Sequence, residues 1–211
     1  MDKPVLIFGA GSIGKSVLQI FKSNNVLVYG FLDDDESLHN TEIDDVSVFG
    51  FTDEESMINI IGKDCEAFVA VDENELRKSI VSNLNKTNKV MPVNAIHSNA
   101  LMAESSSIGH GNFINAGVII GSNVTIGNHC LLHTKVTIDE GAKVGNYAQI
   151  GMGANISSGV VIGDEVFIGA GVTIVSGIKI EAGARIGAGS VVISNVKENA
   201  VLFGNPAVGV K

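Results

Sequence analysis

Three things are scarce in this chain: cysteine, basic residues and long apolar runs. Of 211 residues only Cys65 and Cys130 are cysteines, and they lie far apart, so no disulfide framework is expected. Lys and Arg number 14 against 23 Asp and Glu, giving a formal net charge of -9. Such a surface repels phosphate backbones, which argues against nucleic acid as a partner. An anionic ligand must then be met locally, by main-chain N–H groups or a few cations. No apolar run approaches the roughly 18 residues of a spanning helix, so no membrane insertion is expected. The first residues, Met1 to Pro4, are polar and lead at once into a strand, unlike a signal peptide. The expectation is a soluble, cytoplasmic protein.

What the chain does have is a period. From Ile96 to Val192 every sixth residue is aliphatic, seventeen positions without a slip. Two residues before most of them sits a small or β-branched residue such as Val118, Cys130, Ala148 or Val166. Cys130 therefore reads as a buried free thiol. The next residue is often Gly, as at Gly127, Gly145, Gly163 and Gly187. A period of six suits neither an isolated helix nor a flat sheet. It is the period of a hexapeptide β-helix, in which three hexapeptides close one triangular coil and side chains eighteen residues apart stack.

The first 93 residues follow another rule. Val5 to Phe8 is apolar, then comes Gly9-Ala10-Gly11-Ser12-Ile13-Gly14, then a helical pattern through Phe21. A second apolar run, Val26 to Leu32, ends in Asp33-Asp34-Asp35. Strand, glycine loop, helix, strand and acid is the pattern of a mononucleotide-binding unit. The glycines let the backbone approach an anion at a helix N-terminus, and the acids meet a ribose or base. A helix over 53–61 capped by Thr52, a strand over 67–71, a helix over 73–84 capped by Asp72 and a last strand over 89–93 complete the expectation. This is an α/β domain with a parallel sheet of about four strands, half of a Rossmann dinucleotide fold, better fitted to a nucleotide-sugar than to a whole NAD. The predicted domains are 1–93, the β-helix 94–193 and a tail 194–211.

On the coil, one stacked column is His97, Asn115, His133, Gly151, Gly169 and Gly187; another is Ala103, Gly121, Asp139, Ser157 and Val175; the next is Glu104, Ser122, Glu140, Ser158 and Ser176. His133, Asp139 and Glu140, with His110 and His129 near, gather on early coils below a bare glycine–serine groove. Such a site has a base for an acceptor's proton and main-chain N–H groups for an oxyanion, as acyl transfer requires. An ordinary acidic turn and a solvated histidine are the competing readings.

A glycine-loop domain before a hexapeptide coil, with Gly30-Phe31-Leu32-Asp33-Asp34-Asp35 and a terminal Gly204-Asn205-Pro206-Ala207, resembles the NeuD/PglD-type sugar acyltransferases over essentially the whole chain. The resemblance implies a left-handed β-helix, a homotrimer, acetyl-CoA as acyl donor and no metal. It implies acyl transfer to a hydroxyl or amine of a sugar, often a nucleotide-linked amino-dideoxysugar such as a 4-amino-4,6-dideoxyhexose, in surface-polysaccharide (O-antigen) biosynthesis; N-acetyl transfer is the form expected here, for the reason given below. Gly9, Gly11, Gly14, Asp33 and Asp34 would bind the nucleotide-sugar; Gln149, Ser158, Ala170, Ala188 and Gly189 would lie along acyl-CoA. The chain departs from the family pattern Asn-Thr-Gly-Ala-x-Val-Glu-His-Asp, whose His is the base. Here the stretch is His133-Thr134-Lys135-Val136-Thr137-Ile138-Asp139-Glu140-Gly141, with Glu140 in the His position. Glu140 as base, His133 in its stead, or an amine that needs no strong base all remain open, and the last favours an amine over a hydroxyl. The alternatives are a sugar O-acetyltransferase, a non-catalytic nucleotide-binding scaffold, a zinc enzyme built on the coil histidines, or an NAD-linked protein.

Overall fold

A computed structural model describes residues 3–210. Met1, Asp2 and Lys211, at the ends of the predicted first domain and tail, lie outside it. Two compact units emerge, Met1–Ala95 and Ile96–Lys211.

The first unit runs β1 (Val5–Phe8), α1 (Ser12–Ser23), β2 (Val28–Leu32), β3 (Glu42–Ile43), β4 (Val46–Gly50), α2 (Glu55–Ile58), β5 (Glu66–Val69) and α3 (Asn74–Asn88). Its sheet has five strands in the order β3-β4-β2-β1-β5, parallel except that β3 pairs antiparallel with β4. β1 is buried on both faces, which is why Val5, Leu6, Ile7 and Phe8 form an unbroken apolar run.

Three local expectations are corrected. Residues 89–93 form no strand: Lys89 closes α3 in the left-handed region at φ 57°, and Pro92 brings no N–H to a ladder. Only Val93 reaches the sheet, donating to the Ala67 carbonyl at 2.9 Å. Thr52 does not cap a helix over 53–61; its N–H and hydroxyl both bond Asp34, and α2 shrinks to four residues behind Glu54. Glu73, not Asp72, caps α3, accepting from the N–H groups of Glu75 and Leu76 at 2.8 and 2.7 Å.

The second unit is the coil. Each aliphatic position is the second residue of a two-residue strand, and successive rungs pair in parallel at eighteen residues, as in Leu131↔Gln149 and Thr137↔Asn155. Three faces result. The first carries Phe113–Ile114, Leu131–Leu132 and Gln149–Ile150; the second Ile119–Ile120, Thr137–Ile138 and Asn155–Ile156; the third Thr125–Ile126 and Lys143–Val144. The inward residues, among them Val118, Cys130, Ile138, Ala148 and Ile168, are buried in one continuous core. Each such aliphatic side chain is worth about 1.5–3 kcal/mol of burial. Part of the predicted tail belongs to this coil. Val201–Phe203 adds a parallel rung beside Arg185–Ile186, and Val208–Gly209 folds back antiparallel on it.

Candidate active site

In the first unit the glycine loop joins β1 to α1. Gly9 has φ +101°, and a Cβ there would stand 2.7 Å from the Ala70 carbonyl oxygen; one on Gly14 would stand 2.0 Å from that of Gly9. The fold itself demands both glycines. Gly11 differs: it is exposed, and a Cβ would meet nothing within 4 Å. Gly11 is also the N-cap of α1, with no side-chain cap and no acid in the first turn. The helix thus presents its positive end and first-turn N–H groups to the space before the loop.

Asp33 leans onto this loop. Its Oδ2 accepts from Ala10 N–H at 2.6 Å and its Oδ1 from Asp35 N–H at 2.9 Å. Asp34 faces Thr52, accepting from its N–H at 2.8 Å and its hydroxyl at 3.1 Å. Asp33 therefore stands where the sequence puts it, beside the glycines, while Asp34 ties β2 to the chain after β4. His39 braces the Asp33 main chain. Its Nε2 lies 2.7 Å from the Asp33 carbonyl oxygen, and its ring meets Phe51 edge-on at 4.6 Å. Asp35 caps the turn at Glu36–Leu38; the Ser37 hydroxyl and N–H lower its carboxyl below the usual value. A cleft of about 450 Å³, unanticipated from sequence, lies between α2 and α3, lined by Phe8, Thr52, Asp53, Leu76, Asn83 and Lys86 among others.

The coil separates its candidate residues by edge. The first edge, between first and second faces, carries His133, Lys135, Ala170, Ala188 and Gly189. The second edge, between second and third faces, carries Asp139, Glu140 and Ser158. His133 is half-buried with its ring edge-on to Phe113 at 5.7 Å, and Gly151 stacks above it. Asp139 and Glu140 are exposed. One rung above Glu140, the Ser158 hydroxyl bonds Ser176 at 3.3 Å. The main-chain N–H groups of Ser157 and Gly159 bond the carbonyls of Ile174 and Glu140, while that of Ser158 has no partner among the described residues. Gln149 points outward on the first face, between Leu131 and Phe167. On the second face a depression of about 280 Å³ is lined by Ile119, Gly121, Thr137, Asp139, Asn155 and Ser157 among others.

The expected gathering of histidines around Asp139 and Glu140 is corrected. His133 shares their coil but sits at the opposite end of the second face, six or seven residues away. An extended chain covers roughly 20 Å over that length. His110 and His129 are on the third edge. There Asn128, Asn146 and Asp164 form a ladder in which each Oδ1 accepts the N–H one coil below, at 2.9, 2.9 and 2.7 Å. His129 is buried and stacks on Tyr147 at 5.0 Å. Among the described residues no three His, Cys, Asp or Glu side chains are placed to hold a metal, and no helix is long and apolar enough to cross a membrane.

A glycine-loop α/β unit followed by a hexapeptide coil defines a class, the hexapeptide-repeat transferases. Residues 4–84 match the PglD N-terminal domain, and residues 105–140 and 141–176 each match six bacterial transferase hexapeptides. With the structural likenesses below, these matches make the chain a member of the NeuD/PglD-type sugar acyltransferases, with a left-handed parallel β-helix. No curated protein matches the chain in sequence. Among solved structures it is similar to perosamine N-acetyltransferase from Caulobacter crescentus in complex with CoA and GDP-perosamine: TM-score 0.90, 26% identity, over 99% of this chain and 97% of that one. The acetyltransferase domain of PglB from Neisseria gonorrhoeae, in complex with acetyl coenzyme A, gives TM-score 0.89 and 23% identity over 100% of both chains. WeeI from Acinetobacter baumannii gives 0.86 and 23% over 99% and 100%. These last two speak for the fold.

Proposed function

We propose that this chain is an acetyl-CoA-dependent N-acetyltransferase acting on the amino group of a nucleotide-linked amino-dideoxysugar, a 4-amino-4,6-dideoxyhexose. The observation that carries this is the near-complete structural likeness to the Caulobacter perosamine N-acetyltransferase, a protein crystallised with CoA and GDP-perosamine. The nucleotide-sugar meets the Gly9–Gly14 loop, where Gly11 leaves room and α1 offers its N–H groups to a phosphate. Asp33 supports that loop and Asp34 its neighbour β4. Acetyl-CoA runs along the coil against Gln149, Ser158, Ala170, Ala188 and Gly189.

The sugar nitrogen attacks the thioester carbonyl, forming the C–N bond. The free Ser158 N–H faces the developing oxyanion, and a single donor of this kind is typically worth about 2.7–4 kcal/mol of barrier. The amine proton leaves to a base drawn from His133, Glu140 or Asp139. The C–S bond then breaks and the thiolate takes a proton. An amine binding neutral is already a nucleophile, so nitrogen asks less of that base than a hydroxyl would. The assembly is a homotrimer in the cytoplasm, supplying N-acetylated sugar to surface-polysaccharide synthesis.

A thermal-shift panel tests the reading. Acetyl-CoA and a 4-amino-dideoxyhexose nucleotide should each raise Tm. At a hundredfold excess over Kd each stabilises by about 2.7 kcal/mol. A response to the nucleotide-sugar without one to acetyl-CoA indicates a non-catalytic nucleotide-binding coil, and no response to either sinks the reading.

A further inference from the structure

His133 and Glu140 cannot meet within one chain, since they occupy opposite ends of the second face. Their coil is nevertheless distinctive. Its first edge carries His133 and the exposed Lys135, and its second edge carries Asp139 and Glu140. The coil below is neutral at both edges, with Asn115 and Gly117 facing Gly121 and Asn123, and so is the coil above, with Gly151 and Gly153 facing Ser157 and Gly159.

The face between these edges is also unlike the other two. Its outward residues are Leu101, Ile119, Thr137, Asn155, Thr173 and Val191, none of them charged. Leu101 is 66% exposed and Ile119 46%. The third face presents the exposed Lys143 and Lys179, and the first carries Arg185 over the Phe167 ring at 4.6 Å. An uncharged, partly apolar face with a cationic edge and an anionic edge at one height is self-complementary under rotation about an axis parallel to the coil. Such a rotation keeps every coil level and brings the first edge of one copy to the second edge of the next. The occupant of this face is therefore a second copy of this chain.

We propose that the catalytic base is assembled between subunits: His133 of one copy pairs with Glu140 of the next, His133 taking the amine proton and Glu140 positioning its imidazole. This rests on the acetyl-transfer reading and on the trimer proposed with it. The N–C bond forms as the N–H proton passes to the imidazole of His133. The C–S bond breaks, and the imidazolium returns the proton to the departing CoA thiolate. Acyl-CoA and amine become amide and free CoA, and His133 is regenerated. The same contact joins the edge bearing Ala170, Ala188 and Gly189 to the edge bearing Ser158. The acyl-CoA residues, divided on one chain, then converge. Asp139 and Lys135 flank the pair from the two edges, and the uncharged Phe113 ring lies against the imidazole.

The test is complementation between full-length variants. His133→Asn and Glu140→Gln homotrimers, with trimer mass verified by light scattering, should each lose 100-fold or more in kcat/KM, the lower end of the usual worth of acid–base catalysis. Co-assembled one to one, about a quarter of the interfaces of a closed ring carry both native residues, so about a quarter of native activity should return. A mixture as inactive as its parents overturns the proposal, and so does either variant within about tenfold of native. An NMR titration of the histidines reads the pairing without turnover. Glu140→Gln should lower the pKa of the resonance that His133→Asn removes, because a neighbouring carboxylate favours imidazolium. An unmoved resonance, or a monomeric native protein, overturns the pairing. A lowered pKa in a trimer that acetylates nothing leaves the pairing standing and removes the acetyl-transfer reading instead.

Discussion

Gly9, Gly11 and Gly14 look equivalent in sequence and are not equivalent in space. Gly14 lies so close to Gly9 that Gly14→Ala puts a methyl against a main-chain carbonyl. It should cost at least about 1–3 kcal/mol in denaturant unfolding. Gly11→Ala meets no atom within 4 Å and should cost no more than about 1 kcal/mol as a changed N-cap. Its effect should fall on the Kd for the nucleotide-sugar, read by calorimetry; unchanged binding would mean that Gly11 faces no ligand. Cys65 gives a second prediction. Burial, then the charges of Glu66 and Asp64, push its thiol from 9.0 to about 11. The folded thiol holds its proton more tightly than the unfolded one, so its contribution is whole below pH 9 and lost between pH 9 and about 11. Urea melts across that window should lose stability in the native protein and less in Cys65→Ala.

At the scale of elements, the coil was legible because its period is set by geometry that every rung repeats. A residue six positions on must turn the same way, so Ile138 could be assigned to the interior with no partner known. It is 1% exposed, and Ile138→Ala should cost about 2–5 kcal/mol, measured by denaturant unfolding, with the cavity term set by how far the coil collapses. The first unit was less legible, since its caps depend on contacts distant in sequence. Thr52 has the chemistry of an N-cap, but the Asp34 carboxylate claims it from 18 residues away. Asp72 and Glu73 are both acids before α3, and only the turn of the chain brings Glu73 over the free N–H groups. The β3–β4 hairpin was invisible for a similar reason: Asp44 and Asp45 make its turn with φ 47° and 64°, without a glycine to mark it.

At the scale of the molecule, the candidate site was half legible. The columns of eighteen correctly stack Glu140 under Ser158 and His133 under Gly151. Grouping by coil hid that the two columns stand on different edges, at opposite ends of the second face. The glycine loop and Asp33 stand where the motif puts them, whereas the cleft beside α3 had no signal, being lined by side chains such as Leu76, Asn83 and Lys86 that read as an ordinary helix face. The central claim is that an amine accepts the acyl group. The direct measurement is mass spectrometry of a 4-amino-4,6-dideoxyhexose nucleotide, GDP-perosamine among the panel, incubated with the full-length protein and acetyl-CoA, with CoA thiol release followed alongside. One acetyl group on nitrogen, matched mole for mole by free CoA and absent with the 4-hydroxy sugar, is the predicted result. Acetylation of a hydroxyl with the amine left free, or no transfer to any amino-sugar nucleotide tried, would contradict it.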